Sequence, residues 1–429
     1  MKPLIAVEWS DWTVETYKAS HNADVLPLQD YLDEKLENSS EFFKPNSKTL
    51  LIHGDIRNVS NKLIDKILQE RFGVKSVDIV TGGAPCESFS MAGHRKEEDE
   101  RNNLFLNLAR IAKHTDAPMF LFENVKGLLS KKSNGIAGQM YQEICDHFEA
   151  PSEEGVSYRL ASRDKNTVLL KASDYGTPQE RERVILVGIN SKLEAEFSYP
   201  EKTHGKDRQF DYVTVSDALD DLPKYENPKE GKEEVEFGVD IKDEFSEQRK
   251  QFLRIMSGKE HGLPEHLEAK KGLLSSHITP GHTDKMVFRM DHIKPGEGMK
   301  HAADRLFSEN KEHVVKAYFP NKLYAARNRR LFLNKPSFTV TSHCLDEMVH
   351  PRFNRGLSPR EAARLQSFPD WYQFQGPYVK FHSDPEQDRY EQIGDAIPPL
   401  LGYALGKEVV KTLDVLYQQN HLQREKLNI

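Results

Sequence analysis

The amino-acid sequence predicts an α/β protein with a doubly wound, mostly parallel sheet and a second, smaller domain. Short apolar runs alternate with longer amphipathic stretches over the first 190 residues. Residues 192–335 are instead polar, irregular and rich in His, Lys, Glu, Gly and Pro, and a helical pattern returns after residue 357. Strands that alternate with helices are typical of parallel sheets covered on both faces, so the polar middle segment is expected to form the second domain.

The predicted strands are short runs rich in Val, Ile, Leu and Phe. In chain order they cover Leu4–Glu8, Leu50–His53, Val77–Thr81, Met119–Phe122, Tyr158–Ser162, Val168–Lys171 and Val184–Ile189. Short apolar runs bounded by turn residues are typical of buried strands. No helical pattern separates the last three runs, which predicts an antiparallel edge to the sheet.

The predicted helices are longer segments with apolar residues at helical spacing. They cover Trp12–Ser20, Asn61–Arg71, Leu104–Lys113, Ile136–Phe148, Ser358–Gln366 and Pro398–Leu416. Periodicity is weak between residues 192 and 335, so few elements are predicted there, and the segment is expected to be mostly irregular with some β structure. Its aromatic and aliphatic clusters indicate a folded domain rather than disorder.

Composition excludes several classes of protein. The 429 residues are 37% hydrophobic and 30% charged, and no run of 18 apolar residues predicts a membrane span. The amino terminus is too soon acidic for a signal peptide. Three widely spaced cysteines argue against a disulfide framework or a metal site and favour a reducing cytoplasm. The net charge of −7 argues mildly against a nucleic-acid partner, although local charge decides that question.

The most informative segment is Asp78–Ser90, in which a strand runs into Gly82, Gly83, Ala84, Pro85 and Cys86. Ligands of open α/β sheets lie at the carboxyl ends of the strands, so a cysteine on this stiff loop is placed to contact one. Its thiol must become a thiolate to act as a nucleophile. The alternative is a buried, inert cysteine.

Two further strand ends carry charged side chains. Glu123 closes the strand near Phe122, where a carboxyl group could protonate or hydrogen-bond a bound heterocycle. Arg181 and Arg183 are two residues apart at the start of the last strand, so both side chains point the same way and could grip a phosphate or a carbonyl oxygen. The alternatives are a helix cap for Glu123 and a surface charge cluster for the arginines.

Taken in order, these segments resemble the DNA cytosine-5 methyltransferase family, of the bacterial type II modification kind. The resemblance covers residues 5–190 and 335–410. The segments that carry it are Pro85-Cys86, Asp99 to Phe105, Glu123-Asn124-Val125, Gln179 to Arg183, Arg355 to Pro369 and Gln392 to Pro399. Asp395 stands where the family more often has Asn.

The resemblance implies a catalytic role for four residues. Cys86 would attack carbon 6 of cytosine, which makes carbon 5 reactive enough to take a methyl group from S-adenosylmethionine. Glu123 would hold or protonate ring nitrogen 3, and Arg183 would hold the carbonyl oxygen of the base. Arg181 would support the pocket or a phosphate. The target base would have to be flipped out of the duplex.

The resemblance also implies a cofactor site in a Rossmann-like, S-adenosylmethionine-dependent sheet. Glu8 would bind the ribose hydroxyls and Trp9 would lie against the adenine, although Trp9 could instead be a core aromatic. The remaining cofactor-binding candidates are Asp55, Ile56, Gly83, Leu104, Asp395 and Ala396.

The sequence departs from the family at its amino end. The Phe-x-Gly-x-Gly turn that begins the family and holds the methionine part of the cofactor is not found, and Met1 falls one strand too late. Met1 could be an internal residue, the missing strand could belong to a separate polypeptide, or the protein could be a degenerate copy. If the chain starts at Met1, weak S-adenosylmethionine binding is expected.

The middle segment is expected to recognise DNA. The resemblance divides the chain into a catalytic domain of residues 1–195 plus 388–429 and a target-recognition domain of residues 196–387. Arg327, Asn328, Arg329 and Arg330 are the candidates for DNA contact, because base edges are read by Arg, Lys, Asn or Gln and phosphates by basic residues. Ordinary loop residues are the alternative.

The expected partners are double-stranded DNA and a cognate restriction endonuclease, with the protein itself a monomer. Two other functions stay open at this point. One is a non-catalytic DNA-binding remnant, which the missing glycine-rich turn favours. The other is an RNA cytosine methyltransferase, against which the large middle segment argues. Cys86, Glu123 and Arg183 together favour the DNA-methylating enzyme.

Overall fold

The computed structural model describes residues 1–83, 104–380 and 386–419. The strands are β1 Ile5–Glu8, β2 Asp24–Pro27, β3 Leu50–His53, β4 Ile79–Gly83, β5 Met119–Val125, β6 Lys132–Ser133, β7 Ile136–Ala137, β8 Tyr158–Leu160, β9 Leu169–Lys171, β10 Glu182–Asn190, β11 Gly231–Glu236, β12 Leu273–Ile278, β13 Arg329–Arg330 and β14 Met348–Val349. The helices are α1 Asp11–His21, α2 Leu28–Leu32, α3 Asn61–Lys66, α4 Phe105–His114, α5 Gln139–Glu149, α6 Val215–Leu219, α7 Glu247–Met256, α8 Asp284–Asp291, α9 Met299–Ser308, α10 Glu312–Tyr318, α11 Cys344–Glu347, α12 Pro359–Leu365, α13 Arg389–Asp395 and α14 Pro399–Gln418.

The main strands of the larger domain form two hydrogen-bonded sheets. The first has the order β1-β3-β2, and all of its pairs are parallel. The second has the order β4-β5-β10-β8, with β9 also pairing with β10. Strands β4 and β5 are parallel, whereas β10 is antiparallel to β5, β8 and β9. The predicted α/β fold with parallel strands and an antiparallel edge is therefore confirmed, but the strands form two sheets rather than one, and parallel and antiparallel pairs are equally frequent in them.

Helices cover both faces of these two sheets because apolar side chains alternate along their strands. In β5, Phe120 and Phe122 face α4 and α5, whereas Met119 and Leu121 face α14. In β3, Leu50 and Ile52 pack against α3 on one face, and Leu51 packs against α1 on the other. Period-two alternation with apolar residues on both faces is what a strand between two helical layers requires.

The smaller domain packs around α12, in which every side chain is buried. This helix begins with a capping box, in which Ser358 and Glu361 each bond the other's backbone amide, and Pro359 occupies its first turn. The core around it combines α6, α7 and α12 with Tyr390, Ile393 and Leu400. One hydrophobic core therefore extends across the expected domain boundary at residues 387 and 388.

The middle segment contains more helix than the sequence predicts. Helices α6 to α10 lie within it, beside the β11–β12 ladder. Helices α8 to α10 share a separate small core. The short helices escape prediction because each has fewer than three full turns, too few to show a clear period. Strand β2, α13 and the β6–β7 hairpin were also not predicted, and this hairpin occupies the start of the predicted helix at residues 136–148.

Among the helices of the described ranges, none combines the length and apolar character that crossing a membrane requires.

Candidate active site

The carboxyl ends of β4 and β5 bring two of the predicted residues together. In the parallel pairing of these strands, Gly83 is the partner of Glu123. Cys86 lies outside the described residues, but it follows Gly83 by three positions.

Glu123 and Arg183 form a close ion pair between neighbouring strands. The antiparallel register of β5 and β10 places Arg183 opposite Val125, two residues from Glu123. The two side chains meet with Arg183 Nε 2.8 Å from Glu123 Oε1, and both are largely buried. The guanidinium also donates from Nη1 to the Glu182 carbonyl at 2.9 Å. The pair thus presents a fixed carboxyl group beside a fixed cation.

Burial raises the pKa of Glu123, and the charge and hydrogen bonding of Arg183 oppose that rise without cancelling it. A carboxyl group in this environment holds a proton more readily than an exposed glutamate does. It can therefore donate that proton, or a hydrogen bond, to a ring nitrogen placed beside it. The structure thus brings Glu123 and Arg183 into contact, whereas the sequence analysis assigned them separate roles.

If Glu123 has the catalytic role that the resemblance implies, Glu123→Gln is expected to lower kcat by about 100-fold and to leave KM for DNA nearly unchanged, because the carboxyl group would act mainly as charge develops. The amide also places a donor against Arg183. Single-turnover methyl transfer on DNA measures the effect. Glu182→Gln is the matched control, since Glu182 pairs with Lys126 at an exposed site. Equal rates for Glu123→Gln and the parent chain would show that Glu123 has no role in catalysis.

Gly83 must remain without a side chain because Glu123 fills the space beside it. A Cβ atom on Gly83 would lie 2.7 Å from Glu123 Oε2 and 3.4 Å from the Glu123 carbonyl oxygen. Gly83→Ala is therefore expected to displace the carboxyl group and lower kcat by about tenfold, because small misplacements of reacting groups are costly. Gly238→Ala is the control, since a Cβ there meets nothing within 4 Å. Steady-state methylation rates would distinguish the two, and identical rates would contradict the expectation.

Arg181 has a different place from Arg183. Its side chain is buried and donates from Nη1 to the Val340 carbonyl and from Nη2 to the Gly394 carbonyl, both at 2.6 Å. It therefore joins β10 to the smaller domain and to α13. The expectation that Arg181 grips a phosphate is corrected, because both terminal nitrogens already bind backbone carbonyls inside the protein. Its alternative role as a support of the pocket agrees with these contacts.

Gln179 is a positioning residue that the sequence analysis did not assign. Its amide donates to the Leu365 carbonyl at 3.2 Å and to the Gln366 side chain, and its oxygen accepts the Val340 amide at 2.7 Å. The side chain is fully buried. The available signal was its place in the Gln-x-Arg-x-Arg segment, since a polar residue beside two arginines suggests a shared network.

The expected cofactor residues Glu8 and Trp9 lie at the carboxyl end of β1. Burial raises the pKa of Glu8 to about 7, and a hydrogen bond from the Trp9 backbone opposes the rise. Two hydroxyl donors would stabilise the ionised carboxylate in this site, so Glu8 fits a ribose. The Trp9 ring is 55% exposed and is free to cover a flat heterocycle, which argues against a core role.

The other expected cofactor residues differ in whether they already have hydrogen-bond partners inside the protein. Asp55 caps a short turn and pairs with Arg57, so its side chain is already occupied. Ile56 is half-buried beside it, and Leu104 stands at the amino end of α4. The Asp395 side chain accepts a hydrogen bond from Gln387 at 2.8 Å, and the Ala396 carbonyl accepts one from Gln366 at 2.8 Å.

The four expected DNA-binding residues divide into two pairs. Arg330 is buried and donates hydrogen bonds to four backbone carbonyls and to the side chain of Asn354. Asn328 is also buried, and its side-chain amide donates a hydrogen bond to the Asp346 carbonyl. Both side chains hold the smaller domain together, so the expectation that they contact DNA is corrected. Arg327 is exposed, and Arg329 lies 3.3 Å from the centre of the Phe338 ring.

The chain matches a family model described as C-5 cytosine-specific DNA methylase over residues 30–411. It is 30% identical to the type II methyltransferase M.DdeI of Desulfomicrobium norvegicum, over 79% of this chain and 74% of that protein. It is also 30% identical to M.AgeI of Thalassovita gelatinovora, over 80% and 86% of the two chains.

A solved structure gives the same fold. It is that of a prophage-encoded E. coli protein described as a DNA modification methyltransferase, with a TM-score of 0.65 and 22% identity over 96% of this chain and 92% of that one.

Proposed function

Because this chain belongs to the C-5 cytosine-specific DNA methylase family, we propose that it methylates carbon 5 of cytosine through a covalent bond to Cys86. It is a DNA cytosine-5 methyltransferase of the type II kind, and its partner is double-stranded DNA. The observation that carries the covalent mechanism is the Glu123–Arg183 pair beside Gly83, three residues from Cys86.

The proposed methyl transfer has three steps. The Cys86 thiolate adds to carbon 6 of cytosine while the Glu123 carboxyl group supplies a proton or hydrogen bond at nitrogen 3, which leaves carbon 5 nucleophilic. Carbon 5 then takes the methyl group as the bond from that group to the sulfonium sulfur breaks, which leaves a neutral thioether. A base such as water takes the proton from carbon 5, the thiolate leaves carbon 6, and any proton held at nitrogen 3 returns to Glu123, so that the aromatic ring is restored. Arg183 steadies Glu123 and the negative charge that builds on the base carbonyl.

The family and the fold imply S-adenosylmethionine as the methyl donor, and its sulfonium makes that methyl group electrophilic. Glu8 would hold its ribose and Trp9 would cover its adenine. Asp55 fits less well, because Arg57 occupies its carboxylate. Leu104, Ile56, Asp395 and Ala396 would close the site around the cofactor, with Gly83 next to the reacting groups.

Arg327 and Arg329 would contact DNA from the smaller domain. Arg329 packs on Phe338, and the next residue, Thr339, donates a hydrogen bond to the Glu180 carbonyl at 3.2 Å. This contact joins the two arginines to the segment that carries Arg181 and Arg183. Because carbon 6 of a paired cytosine is hidden in the stack, the target base must be flipped out to meet Cys86.

The type II names of the relatives support a place in a restriction–modification system, with a cognate endonuclease cutting unmethylated copies of the same site. A monomer suffices for this role, because one chain carries the whole set of proposed catalytic residues.

The covalent mechanism is tested with duplex DNA in which cytosines are replaced by 5-fluorocytosine. Fluorine cannot leave carbon 5 as a cation, so the adduct that forms after methyl transfer should persist and survive denaturation. Peptide mapping should place the DNA on Cys86. Ordinary DNA should yield only 5-methylcytosine on nucleoside analysis. A methylated exocyclic nitrogen, or no adduct despite turnover on ordinary DNA, would reject the proposed mechanism.

A further inference from the structure

Arg289, on α8 of the smaller domain, has hydrogen-bond donors that lack acceptors. Its side chain is half-buried, and Nη1 reaches the Tyr318 carbonyl at 3.5 Å, the limit of a hydrogen bond. Its Nε is buried and has no hydrogen-bond partner in the described part of the chain. Burial of a guanidinium without a full set of acceptors is unfavourable, so a ligand that supplies acceptors would be bound well here.

A second donor lies near Arg289. His282 Nε2 accepts the Gly356 amide at 2.9 Å, so the proton of the neutral ring is on Nδ1. Among the described residues, nothing accepts a hydrogen bond from this buried Nδ1. Burial lowers the pKa of His282, Arg355 and Arg289 add to the fall, and the charge of Asp346 opposes it. The ring is therefore neutral at pH 7 and keeps one unused donor.

Asp346 of α11 adds an acceptor to this surface. Its side chain is exposed, and its charge opposes the fall in the pKa of Arg289 as it does that of His282, so it lies near both. The surface thus combines a guanidinium fork, an imidazole N–H and a carboxylate. Such a set can read a ligand that presents acceptors and a donor side by side.

Both charged side chains stand on a rigid frame. Arg330 donates to the Met290 carbonyl at 2.6 Å and to the Ile293 carbonyl at 2.7 Å, which fixes the carboxyl end of α8 against β13. Asn328 donates from its backbone amide and from its side-chain amide to the Asp346 carbonyl, each at 3.0 Å. The surface is therefore held by the segment that carries the two arginines proposed to contact DNA.

The surface also adjoins the place where the target cytosine is proposed to react. Helix α11, which carries Asp346, directly follows the segment that binds the start of β10. In that segment Thr339 donates to the Glu180 carbonyl at 3.2 Å, and the Val340 carbonyl accepts Arg181 at 2.6 Å. A duplex that delivers its cytosine to the larger domain would therefore pass this surface of the smaller domain.

We propose that Arg289 and Asp346 together read one G·C base pair of the recognition sequence, an inference that rests on the proposed methylation of DNA. In the major groove, guanine presents the acceptors N7 and O6, and its cytosine presents the N4 amino donor. The Arg289 fork matches the two acceptors, the Asp346 carboxylate matches the donor, and His282 Nδ1 supplies a further donor toward O6. A phosphate fits this surface less well, because the Asp346 carboxylate would repel its charge.

Selection of bound sequences from randomised duplexes tests this reading without methyl transfer. The full chain should enrich one sequence that contains a fixed G·C pair. Arg289→Lys should lower the preference for that pair by about 10- to 100-fold, because lysine keeps the charge but loses the two-pronged donor. Asp346→Ala should relax the same position and no other. Lys316→Gln is the control that should keep the whole sequence, since Lys316 pairs with Glu312 on an exposed face of α10.

An unchanged preference in Arg289→Lys would overturn the proposal. Equal weakening on every sequence by Arg289→Gln would also overturn it, because that result indicates a phosphate contact. Relaxation at two different positions by the Arg289 and Asp346 variants would refute the reading of one shared pair. Methyl incorporation into the enriched sequence is measured separately. Enrichment without methylation would contradict the Cys86 mechanism and support base reading, whereas methylation with an unaltered sequence preference would do the reverse.

Discussion

Cys86→Ser should lower methyl transfer by at least about 1,000-fold, because a serine hydroxyl is far less ionised than a thiol and is a poor nucleophile toward an aromatic carbon. The carboxyl group of Glu123 and the cation of Arg183 would remain, but neither can form the covalent bond to carbon 6. Incorporation of a labelled methyl group into duplex DNA under single-turnover conditions measures the loss.

The control for this variant is another cysteine. Cys145 is buried in the core around α5, where burial raises the pKa of its thiol to about 11 and keeps it unreactive. Cys145→Ala should therefore change stability but retain the methylation rate. DNA affinity of Cys86→Ser should match that of the parent chain, since phosphate contacts set most of it. Retained methylation by Cys86→Ser would refute covalent catalysis through this residue.

Glu361→Ala should reduce the free energy of unfolding by about 3–5 kcal/mol, because it leaves a buried guanidinium without its counter-charge. Arg355 donates two hydrogen bonds of 2.8 Å to the Glu361 carboxylate, and its side chain is fully buried. The same carboxylate accepts the Ser358 amide at 2.8 Å and so completes the cap of α12. Burial opposes ionisation of Glu361, but Arg355 and His350 hold its pKa far below the usual range.

Urea denaturation followed by circular dichroism measures this loss. Glu312→Ala is the matched control, because Glu312 pairs with Lys316 on an exposed face of α10 and such pairs contribute at most about 0.5 kcal/mol. A loss below 1 kcal/mol for Glu361→Ala would show that Arg355 finds another partner or water when the carboxylate is removed.

The sequence alone predicted the family and most of the strands of the larger domain. Leu50–His53 was predicted at the bounds that β3 has, because an apolar run between turn residues leaves little choice of structure. Cys86, Glu123 and Arg183 were identified because their residue types occur in a fixed order at strand ends. The interpretation as a DNA cytosine-5 methyltransferase depended on that order and agrees with the family match.

Tertiary structure alone decided which of the polar residues are free to act. Arg181 and Arg183 are equivalent in sequence, yet one binds the Val340 and Gly394 carbonyls and the other meets Glu123. By residue type, Asn328 and Arg330 could contact DNA as well as Arg327 could. Both side chains are instead buried and donate hydrogen bonds to backbone carbonyls inside the protein. Burial and partner choice depend on segments far apart in the chain, which local patterns do not encode.

The order of the strands was likewise decided only in three dimensions. Strand β2, which the sequence analysis did not predict, pairs with β3, and β10 lies antiparallel between β5 and β8. Strand pairing is a property of the assembled sheet, since each edge is defined by its neighbours rather than by its own residues.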